Sequence, residues 1–205
     1  MQLTLHYAPV ACSLVPYIGL QEANASFSVE LVDLRAGAQH SEVFQRLNPK
    51  RKVPVLVIDG EPLTENVAIQ IWIARHFPAA KLLPTSNALA EYRAIAHLTW
   101  CASSLHTSIT PNFYPQRYCD APDTAEAVRR SARAMLIQHL RVAEASLQER
   151  EWFFEHFTFC DIYFFWCCRR IRQIPMTLAE FPACEAHFKR VAARPSVRAY
   201  REFEA

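Results

Sequence analysis

The pattern of this chain changes once, near residue 80, and that change limits the fold more than any other feature. Before it, short strand-like runs alternate with helical segments; after it, only helical periodicity remains. Residues 2–7 read as a strand and 14–23 as a helix. Residues 27–33 alternate apolar and polar, the period of a half-buried strand. Residues 36–39 are loop, and a short helix over 41–47 must stop before Pro49. The β-branched run 52–58 reads as a buried strand. Asp59 and Gly60 give a hairpin signal, and 61–63, which carries Pro62, suits an edge strand. Thr64, Glu65 and Asn66 open a helix that ends at Pro78. The order βαβ, α, ββ, α predicts a compact mixed sheet with one parallel crossover and helices on it.

Residues 79–87 read as a linker between a domain over 1–78 and an all-helical domain over 88–205. Residues 89–105 form one helix, whose continuation Pro111 and Pro115 break or kink. Val128, Ala132, Met135, Leu136, His139, Leu140, Ala143 and Leu147 recur at three and four residues, the stripe of a helix that begins near Asp123. Thr158 and Asp161 have capping-box spacing, with Phe157 and Ile162 placed as a hydrophobic staple. The helix that follows is apolar nearly all round, so it belongs at the centre of its domain. Helices over 178–193 and 195–203 close the chain.

Composition narrows the function classes. Of 205 residues, 51% are apolar, enough for a sizeable core, and the net charge is +2 with interleaved signs. The arginine groups at 129–133 and 169–172 lie in helical patterns and read as solvated faces, so neither nucleic acid nor a membrane is expected as a partner. Seven cysteines without a CxxC pair or regular spacing argue against a disulfide scaffold and for a reducing compartment. No Cys/His ligand spacing supports a metal site. With no signal-peptide pattern and no membrane-length apolar run, the expected location is the cytoplasm.

The candidate chemistry centres on Ala11, Cys12, Ser13, Leu14, Val15 and Pro16, where a strand hands over to a helix. With Ser13 as N-cap, Cys12 lies just outside the helix, before its positive end, where thiolate is favoured and the thiol pKa is lowered. The alternative is that Cys12 is a small buried hydrophobe.

Several segments resemble the glutathione transferase superfamily, most closely its bacterial beta class. Tyr7, Pro9, Ala11, Cys12, Ser13 and Leu14 are similar to that class's N-terminal signature. Asn48, Pro49, Lys50, Val53 and Pro54 resemble the loop before its third strand, and Leu63, Thr64, Glu65, Asn66, Ala68 and Ile69 its glutathione-binding turn. Ser104, Leu105 and His106 resemble a beta-class helix segment. Phe157, Thr158 and Asp161 resemble the family's capping box, and Arg190, Val191, Ala193, Arg194 and Pro195 its closing helices.

The resemblance implies a thioredoxin-like N-terminal domain followed by an all-helical C-terminal domain, a homodimer, and a cis bond before Pro54. It implies glutathione as co-substrate and a small hydrophobic electrophile as second substrate. It places Lys52, Val53, Pro54, Glu65 and Asn66 at glutathione, with Arg35 standing in for a lysine that many members carry after the second strand. The N–H and C=O of Val53 would pair with the extended peptide, as in strand addition. The start of the helix at Asn66 suits the γ-glutamyl carboxylate and Glu65 its ammonium; on local sequence alone, these residues cap a helix. Cys12 or Ser13 would meet the sulfur, and His106 would face it from the helical domain. Tyr7, Phe113, Tyr114 and Trp166 are pocket candidates. Two residues depart from the family pattern: Asn66 stands where serine is common, and Thr107 stands where the class carries lysine. The activity implied is addition of glutathione thiolate to an electrophile. The alternatives are a glutathione-dependent thiol–disulfide reductase or peroxidase acting through Cys12, and a non-catalytic relative that binds a protein.

Overall fold

The computed structural model describes residues 1–84 and 86–200, and these fall into two compact units. One runs to Leu83 and also takes in the segment from Arg194; the other spans Pro84–Ala193. The helical periodicity of the sequence places residues from 194 onward with the helical domain instead.

The first unit is built on a four-stranded sheet in the order β2-β1-β3-β4, from β1 (Leu3–Tyr7), β2 (Ser28–Leu31), β3 (Val55–Ile58) and β4 (Glu61–Thr64). β1 pairs parallel to β2, and β3 pairs antiparallel to both β1 and β4. This is the crossover and hairpin that the sequence order requires. Pro62 sits opposite Val57 on the edge strand β4, where a missing N–H costs no internal ladder bond. β2 lies at the other edge and is mostly exposed, so its alternation marks an edge strand and not a half-buried one.

Strand alternation gives the sheet two faces. Leu3, Leu5 and Tyr7 are buried on the side of α1 (Leu14–Glu22), where Tyr7 meets Tyr17 edge to face; α1 packs in turn on α3 (Asn66–His76). On the opposite face α2 (Glu42–Leu47) buries Phe44 with Val32 and Val55, and His6 meets the Phe44 ring edge-on. Ser41 caps α2 by accepting from the Phe44 N–H, and a 3₁₀ turn, Ala38–His40, occupies the end of the expected loop. Leu82 and Leu83, in the expected linker, are buried. The segment from Arg194 returns to α1: the Arg194 guanidinium donates two 2.7 Å bonds to the Glu22 carboxylate. Its helix α9 (Pro195–Arg198) is described only to residue 200; the rest of the predicted 195–203 helix lies outside the described residues.

The second unit contains α4 (Ala88–Trp100), a π-helical turn Cys101–Leu105, α5 (His106–Phe113), α6 (Ala125–Leu147), α7 (Phe159–Ile171) and α8 (Pro182–Ala192). Pro111 does not stop the helix; it sits inside α5, two residues before its end, so few later turns depend on the missing N–H. On α6, Ala132, Leu136, Leu140, Ala143 and Leu147 are buried, whereas Met135 is exposed; the stripe is narrower than the sequence suggested. α7 is buried on nearly every side. Its capping box is complete: the Asp161 carboxylate accepts from the Thr158 N–H at 2.8 Å, and Thr158 Oγ1 accepts from the Cys160 N–H. Residues 178–181 form a turn before α8 and not its first turn.

Candidate functional site

The site in the first unit forms where β1 ends, α1 begins, β3 is about to start and α3 opens. Ser13 occupies the N-cap position of α1, but its side chain does not cap the helix. It turns inward, is 0% exposed, and closes a ring with Ala8: Oγ accepts from the Ala8 N–H and donates to the Ala8 C=O, both at 3.1 Å. Its only hydrogen is engaged and no surface remains, so the hydroxyl does not face the solvent side where Cys12 keeps surface. Ser13 instead fixes the loop that carries Val10, a β-branched residue held at φ 67.

Cys12 is half-buried, and its Sγ–H donates to the Val53 C=O at 3.7 Å. Burial pushes its thiol up to about 11; Glu65 adds to the rise, while hydrogen bonding from the Asn66 side chain and the charge of Lys52 oppose it. The helix start therefore does not produce the lowered pKa expected from its position: loss of solvent around sulfur outweighs the helix dipole, whose effect fades within one turn. Cys12 is thus held as a thiol at neutral pH, with its S–H turned to the Val53 carbonyl.

Val53 lies two residues before the strand ladder, whose last pairs on this side are His6 with Val55 and Val55 with Thr64. The Val53–Pro54 bond is cis. Among the described residues no hydrogen bond uses the Val53 N–H, and its carbonyl receives only the weak Cys12 thiol donor.

Glu65 precedes α3 at φ 71, ψ 121, a conformation rare for a residue with a side chain. It aligns the first N–H groups of α3, which have no partner within the helix. The Glu65 carboxylate is exposed and is held by the Lys50 ammonium, which also donates to Thr64 Oγ1 at 3.0 Å. Lys50 belongs to the loop motif at 48–54, where the sequence points to Lys52 instead. Lys52 is exposed, and its carbonyl accepts from Asn48 Nδ2 at 2.6 Å. Arg35 is exposed in the turn after β2, where Asp33 accepts its backbone N–H. The Asn66 side chain does not face solvent as a carboxylate ligand would; it is buried and donates to the Cys12 carbonyl at 2.8 Å. Tyr7, expected as a pocket candidate, is 0% exposed.

In the helical unit, the π-helical turn directly precedes His106. Thr107 Oγ1 donates to the carbonyls of Ser103 and Ser104 within that widened turn. His106 Nδ1 lies 3.1 Å from the Tyr163 hydroxyl, and its ring meets Trp166 edge to face at 4.3 Å. Trp166, expected as a pocket candidate, is 3% exposed and packs against His106. Phe113 is half-buried beneath the Arg170 guanidinium, and Tyr114 is exposed beneath that of Arg117.

Comparison with known proteins identifies the family of both units. Residues 1–75 match the N-terminal domain of glutathione S-transferase and residues 104–204 its C-terminal domain. The chain is 33% identical over 199 residues to glutathione S-transferase GstA of Escherichia coli O157:H7, covering 96% of each. It is 29% identical over 203 residues to glutathione S-transferase GST-4.5 of Xanthomonas campestris pv. campestris, covering 98% of each. The solved beta-class glutathione S-transferase of Sphingomonas chungbukensis superposes with a TM-score of 0.85 at 34% identity, covering 100% of this chain and 99% of that one. A sphingomonad glutathione S-transferase solved in complex with glutathione gives 0.85 at 33%, covering 99% and 98%. Two matched domains in order and full-length relatives above 30% identity establish that the chain belongs to the glutathione S-transferase family.

Proposed function

We propose that this protein binds glutathione in its first unit and adds the glutathione thiolate to a small apolar electrophile. The observation that carries the reading is that the unpaired Val53 N–H, the free N–H groups that open α3 and the weakly held Cys12 thiol belong to one unit. An extended peptide would pair with Val53 by strand addition, its γ-glutamyl carboxylate against the α3 N–H groups and its ammonium at Glu65. Lys50 holds Glu65 in place for this, and Arg35 and Lys52 are available to the glycine carboxylate. On binding, the Cys12 S–H turns from the Val53 carbonyl to the glutathione sulfur. A donor there favours thiolate in a group whose ordinary pKa is roughly 8.5, and proximity to the electrophile supplies the remaining rate. His106, with Phe113 and Tyr114, is assigned to the electrophile side on the family pattern. The family also supports a homodimer and a cytoplasmic location.

The covalent reductase reading requires a Cys12 thiolate. With a pKa of about 11, only about one molecule in 10⁴ carries one at pH 7, which favours the transferase.

A thermal-shift titration with glutathione, paired with a conjugation assay on a halonitroarene, tests the proposal. A hundredfold excess of glutathione over Kd raises Tm by roughly 5–10 °C. Cys12→Ala lowers turnover about 10- to 100-fold, the worth of one hydrogen bond to a charged group, without abolishing it. No shift and no retention on immobilised glutathione would overturn the proposal; disulfide reduction that disappears entirely with Cys12→Ala would favour the reductase.

A further inference from the structure

Asn66 and Gln70 are the polar members of the buried stripe of α3, beside Ile69, Ile73 and Ala74. Their orientation is set by a single group. The Cys12 carbonyl can only accept, so Asn66 must present Nδ2 to it, at 2.8 Å. Asn66 Oδ1 then faces one turn along the helix, and Gln70 must present Nε2 to it, also at 2.8 Å. The consequence appears at the far end. Gln70 is 0% exposed, and its Oε1 has no partner among the described residues. A buried orphan carbonyl is unfavourable, and an apolar residue at 70 would avoid it. It would also leave Asn66 Oδ1 without a donor and free to turn.

Building on the reading above, we propose that Gln70 is a positioning residue for Cys12. It locks the Asn66 amide, which together with the Val15 N–H at 3.1 Å pins the Cys12 carbonyl and so sets the direction in which Sγ leaves the backbone toward Val53. Every link lies within the first unit. The arrangement also accounts for asparagine at 66 where the family pattern has serine: the longer side chain spans from α3 to the Cys12 backbone, and the carboxylate subsite is left to backbone N–H groups.

The test compares Gln70→Met and Gln70→Glu in the full chain with wild type, each with and without Cys12→Ala. Gln70→Met removes the donor at similar length. Expected are glutathione affinity within about twofold of wild type, kcat lowered about five- to tenfold, and an iodoacetamide profile of Cys12 in the free protein whose midpoint moves to higher pH. In the Cys12→Ala background the same substitution changes kcat less than twofold. In Gln70→Glu, the protonated carboxyl donates to Asn66 Oδ1 and the ionised one cannot. Its kcat relative to wild type is therefore near unity at low pH and falls as pH rises, and this variant carries the test if Gln70→Met does not fold. An equal loss in the Cys12→Ala background, or an unchanged kcat and alkylation profile, would overturn the proposal. If wild type fails to bind glutathione, the transferase reading falls, while the alkylation midpoint still decides the role of Gln70.

Discussion

Ser13 and Cys12 are neighbours with opposite orientations, and burial decides their roles. Both carry a small polar group at a helix start, and their order in the chain does not say which one faces outward. The Ser13 hydroxyl bridges the N–H and C=O of Ala8 inside the protein, while the Cys12 sulfur keeps some surface. Ser13→Ala therefore leaves the buried Ala8 N–H unsatisfied, while the Ala8 C=O keeps the Ala11 N–H at 3.2 Å. It should cost about 1–3 kcal/mol by chemical denaturation, with conjugation by the folded fraction reduced far less than by Cys12→Ala. A loss of turnover larger than that of Cys12→Ala, at unchanged stability, would return Ser13 to the sulfur.

At the scale of the element, α7 shows how a local signal and a tertiary network share one residue. The spacing of Thr158 and Asp161 marks a helix start, and the capping box is present. The same carboxylate also accepts from the Phe153 N–H at 3.1 Å and lies 2.9 Å from His187 Nε2 on α8, with Asp161 and His187 both fully buried. Asp161 thus ties the loop before α7 and the packing of α8 to one helix terminus. Asp161→Ala strands several buried donors at once and should lower stability by about 3–5 kcal/mol. Calorimetry would then show Tm falling by roughly 10 °C or more. A loss near 1 kcal/mol, that of an ordinary cap, would show that the tertiary bonds contribute little. The π-helical turn before His106 had no counterpart in the sequence reading. Ser103, Ser104, Thr107 and Ser108 are compatible with a helix that continues unchanged, and the hydroxyl bonds from Thr107 and Ser108 become visible only once the wider turn exists.

For the molecule as a whole, stability in acid should be governed partly by His97 in the helical unit. Its ring packs on Phe153 at 4.2 Å, its Nε2 is buried without a partner among the described residues, and burial pushes its pKa down to about 4, with His187 acting in the same direction and Asp161 against it. The unfolded chain takes up this proton near pH 6.5, before the folded one does. The stabilisation is thus fully present above pH 6.5 and is lost as pH falls toward about 4, amounting to about 3 kcal/mol. The stability of wild type minus that of His97→Phe should fall by about 3 kcal/mol as pH falls over this interval. A constant difference would show that His97 titrates normally in the folded state.

The sequence by itself determined the two-part pattern, the mixed sheet and the buried α7, because strand and helix periods and turn residues act over a few neighbours. The family motifs likewise marked Val53, Pro54, Glu65 and Asn66 as one locality before any contact was known. Tertiary structure alone decided what each group there does. The Cys12 thiol is raised and not lowered because desolvation depends on what packs around the sulfur. Tyr7 and Trp166 are closed off because their neighbours cover them. Asn66 serves the Cys12 carbonyl because α3 is brought against the start of α1. The partner of Asn66 is 54 residues away in the chain, a separation across which no local pattern carries information.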